Sequence, residues 1–123
     1  MKNIYIEQLS LDNYRNLSKF SLQCSSGVNI IIGPNGSGKT NILESISLLS
    51  PGKGLKSVNF DQICRYGCSS WQSLFRLQSK LGIAEVETLF SSQDKNRKIN
   101  YNGSKISSSE LSNLLNLIWV THL

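Results

Sequence analysis

Alanine, the strongest helix former, occurs once in the 123 residues, as Ala84. That scarcity excludes an all-helical bundle or coiled coil and leaves a β-rich or mixed fold. Long hydrophobic runs are lacking as well, and no stretch approaches the length needed to cross a bilayer. Glu7 breaks the apolar start Ile4-Tyr5-Ile6, so no signal peptide is expected, and the expected location is cytoplasmic, with no membrane partner. Cysteine is sparse and odd in number: Cys24, Cys64 and Cys68 form no CxxC pair, and the single histidine, His122, supplies no second pair. A tetrahedral zinc site is therefore not expected, and three reduced thiols are. A lone histidine so near the last residue anchors neither a triad nor a metal. Acidic residues are few: 8 Asp plus Glu against 13 Lys plus Arg, a formal net charge of +5. Such a balance permits an anionic partner without requiring one.

What is present is an alternation of strand signals around one glycine-rich loop. Ile4, Ile6, Leu9 and Leu11 and then Phe20, Leu22 and Cys24 keep a period of two, which predicts strands over 4–11 and 20–24 joined by the polar Asp12-Asn13-Tyr14-Arg15-Asn16. After a turn at Ser25-Ser26-Gly27, Val28 to Ile32 reads as a central strand covered on both faces. Ile42, Leu43, Ile46 and Leu49 keep helical spacing over 40–49, and Ser50-Pro51-Gly52 ends that helix. Residues 53–70 read as a mixed loop. From 71 the period returns to two, through Phe75 and Leu77 and then Ala84, Val86, Thr88 and Phe90. Ile99 and Tyr101 lead into Asn102-Gly103, a dipeptide that favours a tight hairpin. Ser107 followed three residues later by Glu110 matches a capping box opening a short helix with Leu111, Leu114 and Leu115. Leu117 to Val120 reads as one more buried strand. No repeat or linker divides the chain, so 1–123 is read as one unit.

The strongest chemical signal is Gly33-Pro34-Asn35-Gly36-Ser37-Gly38-Lys39-Thr40, which matches the Walker A pattern G-x-x-x-x-G-K-[ST]. Glycines let successive backbone N–H groups turn inward onto phosphate oxygens. The helix opening near Gly38 adds its unsatisfied amides and its dipole. Lys39 is placed to meet the β- and γ-phosphates, and the Thr40 hydroxyl to bind Mg²⁺. A buried strand entering and an amphipathic helix leaving are the context this motif requires. The expected ligands are ATP and Mg²⁺, and the expected fold is an α/β P-loop NTPase.

Leu11 to Asn16, the short strand after it, and Gly27 through Ile46 resemble the opening of the RecF family, bacterial DNA replication and repair ATPases related to the chromosome-maintenance proteins. Leu49 to Lys56, Lys98 to Gly103 and Leu111 to Val120 resemble the same family less sharply. Lys39-Thr40-Asn41-Ile42-Leu43-Glu44 looks like this branch and not like a transporter subunit. The resemblance implies the front half of an ABC-type ATPase head: an antiparallel β layer plus the Walker A strand, loop and helix. It also implies that Arg15 approaches the nucleotide phosphates, that a second head joins in an ATP-dependent dimer, and that the intact protein acts on DNA in repair and recombination. Tyr14 is expected to pack and not to stack on adenine.

The family's Walker B carboxylates, signature sequence and coiled-coil arm are not found in these residues; Val58-Asn59-Phe60-Asp61 and Ser107-Ser108-Ser109-Glu110 fit neither motif. Without a general base this chain alone is not expected to hydrolyse ATP. Two alternatives stand beside that reading. One is a truncated or split-gene product, served by a separate chain carrying Walker B or by nothing. The other is the start of a different chromosome-maintenance ATPase. Candidate DNA contacts are Lys53, Lys56, Arg65, Lys95, Arg97, Lys98 and Lys105, although basic residues at loop tips are commonly placed there simply by hydration.

Overall fold

The computed structural model describes residues 4–25, 39–49 and 59–114. The expected strands at 28–32 and 117–120, the loop from Gly33 to Gly38, the Ser50-Pro51-Gly52 stop and Lys53 and Lys56 lie outside them. Six strands, β1 (Tyr5–Tyr14), β2 (Leu17–Gln23), β3 (Ser70–Ser79), β4 (Gly82–Ser91), β5 (Arg97–Tyr101) and β6 (Ser104–Ile106), form one sheet in the order β2-β1-β3-β4-β5-β6. All five pairings are antiparallel. Among the described residues two helices accompany it, α1 (Lys39–Ser47) and α2 (Ser108–Leu114), with one 3-10 turn at Phe60–Ile63.

Alternation decides which face is covered. Trp71, Ser73, Phe75 and Leu77 of β3 and Val86, Thr88 and Phe90 of β4 all point to the buried side. Leu9 and Leu11 of β1 and Ile99 of β5 extend that face, and Ile42, Leu48, Leu49 and Leu111 close over it from the helical segments. The opposite face mixes Leu74 and Leu89 with polar side chains that pair across strands. Glu87 accepts from Gln72 at 2.9 Å and from Asn100 at 3.1 Å, and Arg76 meets Glu85 at 3.3 Å.

Aromatic rings fill the end of the core nearest α1. Trp71 stacks on Phe90 at 6.0 Å and meets the edge of Tyr14 at 5.3 Å, and its indole N–H donates to the Phe60 carbonyl at 2.9 Å. These geometries suit aromatic quadrupoles, and the indole hydrogen is satisfied in the process.

Two local expectations hold in detail. Asn102 and Gly103 both take positive φ (51° and 86°) between paired Tyr101 and Ser104, as a two-residue hairpin turn requires. Ser107 caps α2 reciprocally: its N–H donates to Glu110 Oε1 at 2.9 Å, and the Glu110 N–H donates to Ser107 Oγ at 3.1 Å.

Three expectations are corrected. The first hairpin runs further than 4–11 and 20–24: β1 continues to Tyr14, β2 starts at Leu17, and the connection shrinks to Arg15-Asn16. Polar Asp12 and Asn13 hid a strand because ladder hydrogen bonds, not side-chain polarity, hold them in the sheet. The helix begins one residue earlier than expected and ends at Ser47, with Leu48 and Leu49 in a turn. The segment read as a loop up to 70 carries the 3-10 turn and then a β-bridge between Tyr14 and Cys64. Trp71→Ala removes the ring shared by Tyr14, Phe60 and Phe90 and is expected to cost about 3–5 kcal/mol, read from urea unfolding midpoints.

Candidate nucleotide-binding site

The loop through Gly38 is outside the described residues, so the site is built from its exit helix. Lys39 opens α1 and Thr40 follows it, exposed. The first turn of α1 carries no acidic residue, which leaves the positive end of its dipole unopposed by its own side chains. An ammonium, a hydroxyl and a run of helix-terminal amides are a donor set that fits a magnesium-bound polyphosphate.

What holds α1 against the sheet is the tight turn between β1 and β2. Glu44, in the middle of α1, is fully buried. Its carboxylate accepts from Arg15 Nε at 3.1 Å and Arg15 Nη2 at 2.8 Å, a two-pronged ion pair, and from the Tyr14 hydroxyl at 3.1 Å. Arg15 Nη1 donates to the Gln62 carbonyl at 3.2 Å, and the Arg15 backbone N–H donates to the Ile63 carbonyl at 2.6 Å. One helical turn earlier, Asn41 Nδ2 donates to Asn16 Oδ1 at 2.8 Å. The far end of α1 is held by Arg97 of β5, whose guanidinium donates to the Leu48 carbonyl and lies 5.3 Å from the centre of the Phe60 ring. A cation there complements carbonyls at the negative end of the helix.

The electrostatics follow the contacts. Burial first, and the neighbouring Glu44 carboxylate second, push the Tyr14 hydroxyl far above the ordinary phenol value. The hydrogen bond to Glu44 holds Arg15 above its ordinary value against partial burial. Burial lowers Arg97 and raises the Cys24 and Cys64 thiols, so these two cysteines are not poised as thiolates at neutral pH.

The structure brings Arg15 and α1 together, and it places the described DNA candidates after the 3-10 turn, before and on β5, and on β6. Arg65 is exposed in the turn after the Tyr14–Cys64 bridge, and its N–H donates to the Asn13 carbonyl at 2.9 Å. Lys95 is exposed with φ 59°, Lys105 is exposed on β6, and Lys98 pairs with Asp94 at 3.3 Å on the surface. Arg97 departs from the hydrated loop-tip pattern: it is half-buried, its guanidinium engaged by Leu48 and Phe60. Sequence reading missed Glu44 as the partner of Arg15. The available signal was a carboxylate between Ile42 and Ile46 on the inward side of an amphipathic helix, a position that demands a cation. Tyr14 is buried, as a packing residue should be, and it also donates a hydrogen bond.

An antiparallel sheet with a Walker A helix clasped to its buried face is the front half of an ABC-type ATPase head. The chain belongs to the RecF/RecN/SMC N terminal domain family, whose model matches residues 5–119. It is 46% identical over 121 residues to the DNA replication and repair protein RecF of Rickettsia massiliae, covering 98% of this chain and 34% of that protein. The RecF of Rickettsia felis is 47% identical over 123 residues, with 33% of its length covered. The chain thus spans about a third of the length of these relatives. Among solved structures, the recombination mediator protein RecF of the RecFOR pathway, in its RecF-ATP structure, superimposes with a TM-score of 0.80 at 28% identity, over 90% of this chain and 31% of that one. The SMC head domain from Thermotoga maritima shares the fold, with a TM-score of 0.74 at 20% identity over 90% of this chain and 42% of that one. No helix among the described residues is long and apolar enough to cross a membrane.

Because the native Tyr14 value lies above the unfolded value of about 10, its stabilisation is fully present below about pH 10 and is lost as pH rises beyond it. Tyr14→Phe should be less stable than the parent by about 1 kcal/mol near neutral pH, with the gap narrowing by about pH 11 in urea melts.

Proposed function

We propose that this chain binds Mg²⁺-ATP through Gly33, Pro34, Asn35, Gly36, Ser37, Gly38, Lys39 and Thr40, with Arg15 assisting. Within an intact RecF-type protein it would serve ATP-dependent engagement of DNA in replication, repair and recombination. The observation that carries this reading is the start of α1 at Lys39, directly after the Walker A glycines, with no carboxylate in its first turn. The family and the RecF-ATP relative support it. In this reading Lys39 neutralises phosphate charge and Thr40 is the Mg²⁺ ligand. Hydrolysis needs carboxylates supplied beyond these residues, and a second head joins across the nucleotide. The protein works in the cytoplasm. DNA contact falls to exposed Arg65, Lys95, Lys98 and Lys105 together with Lys53 and Lys56, whereas Arg97 serves the fold.

Titration of a fluorescent ATP analogue with Mg²⁺ should give saturable binding that weakens at least about tenfold in Lys39→Ala, the loss of a charge-assisted phosphate contact. Equal affinity in the two would remove the site. For DNA, fluorescence anisotropy with a duplex should show affinity falling with salt. The log–log slope should shrink by about two when Lys95 and Lys105 are both replaced by alanine.

A further inference from the structure

We propose that Glu44 is a positioning residue of the nucleotide site, acting through its ion pair with Arg15. This role rests on the nucleotide reading above. Arg15 places three of its five N–H donors, two on Glu44 and one on the Gln62 carbonyl. Glu44 has no exposure to water, and among the described residues its other donor is the Tyr14 hydroxyl. If Arg15 swung away to a ligand, a buried carboxylate would keep one neutral donor, an arrangement strongly disfavoured in a low-dielectric interior.

The geometry also says what the pair accomplishes. Asn41 and Glu44 are three apart and therefore neighbours on one side of α1. Asn16 and Arg15, adjacent in one two-residue turn, take hold of them both. Two grips on one face set both the roll and the axial position of a helix. Each residue of slip turns a helix by about 100° and shifts it by about 1.5 Å, so a slipped α1 would carry the Glu44 carboxylate away from its donors. The pair is directional in a way that an apolar contact is not: it rewards a single placement of α1, and hence of Lys39 and Thr40 at its first turn. Arg15 itself sits at φ 56° in a turn closed by Tyr14 and Leu17 pairing, so the guanidinium is aimed by the sheet.

The test measures affinities for ATP and ADP analogues in the parent, Glu44→Gln, Arg15→Met, the double variant and Asn41→Ala, each at a temperature where circular dichroism shows it folded. A positioning role predicts that Glu44→Gln and Arg15→Met each weaken ATP and ADP by the same factor, about tenfold. The double variant should be no weaker than the worse single, because the two residues act as one unit. Asn41→Ala, which removes only an exposed grip, should weaken both nucleotides by a smaller common factor with no change in melting temperature; it keeps the question answerable if Glu44→Gln does not fold. Full affinity in Glu44→Gln beside a loss in Arg15→Met that is larger for ATP than for ADP would make Arg15 a phosphate ligand and overturn the assignment. A lowered melting temperature with unchanged affinity for both nucleotides in Glu44→Gln and Asn41→Ala would overturn it too, leaving a purely structural pair. If the parent binds no better than Lys39→Ala, the nucleotide reading fails and this role with it; either of the preceding results, beside a working Lys39, removes this role alone.

Discussion

A carboxylate sealed from water must receive its hydrogen bonds from the protein, and Glu44 draws them from two consecutive residues at the end of one strand. That requirement organises the surroundings. Tyr14 must be buried to reach Glu44, and once buried it forms the wall against which Trp71 sets its edge. Arg15 must stand at the crest of a two-residue turn, where its guanidinium reaches the Gln62 carbonyl, its backbone the Ile63 carbonyl, and Tyr14 bridges to Cys64. The helix, the first hairpin and the 3-10 turn are thereby joined at one polar point inside a largely apolar core. Among the described residues no buried side-chain nitrogen or oxygen lacks a partner, so the polar point is fully satisfied and specifies a geometry.

Much of this was legible before any coordinates. Alternation located β3 and β4 because one face of each is buried and the other wet, the condition under which period two survives in composition. The Asn102-Gly103 turn and the Ser107–Glu110 cap were readable because each is a local device whose partners lie within a few residues. The Walker A string is readable for the same reason, and it identified α1 although its glycines fall outside the described residues. Tertiary pairings were not readable in that way. Nothing near Arg97 in the chain announces that its guanidinium belongs on the Leu48 carbonyl, 49 positions away. The partnership of Arg15 with Glu44 spans 29 positions and exists only once β1 carries its turn across the helix. The stretch Asp12-Asn13 misled because a sheet holds polar residues through their backbone as readily as apolar ones.

The family relationship gains a physical meaning from these contacts. A helix that must keep a single placement needs a rigid plate behind it, and for α1 the antiparallel sheet is that plate. It holds α1 near its start through the β1–β2 turn and at its end through β5. Strands from both sides of β1 therefore share in locating one helix, which fits a fold retained at 20% identity in the Thermotoga maritima head.

The β1–β2 connection is two residues long, and both residues carry a helix contact. Such a connection is a spacer of fixed length. One inserted residue would rotate or retract the crest and separate the guanidinium from the amide beside it. Among the described residues the five from Ser92 to Asn96 that join β4 to β5 make no hydrogen bond to α1, so their number is not fixed in that way. Variation in chain length among proteins that keep this device should therefore collect in connections such as that one, while the gap between Tyr14 and Leu17 stays constant.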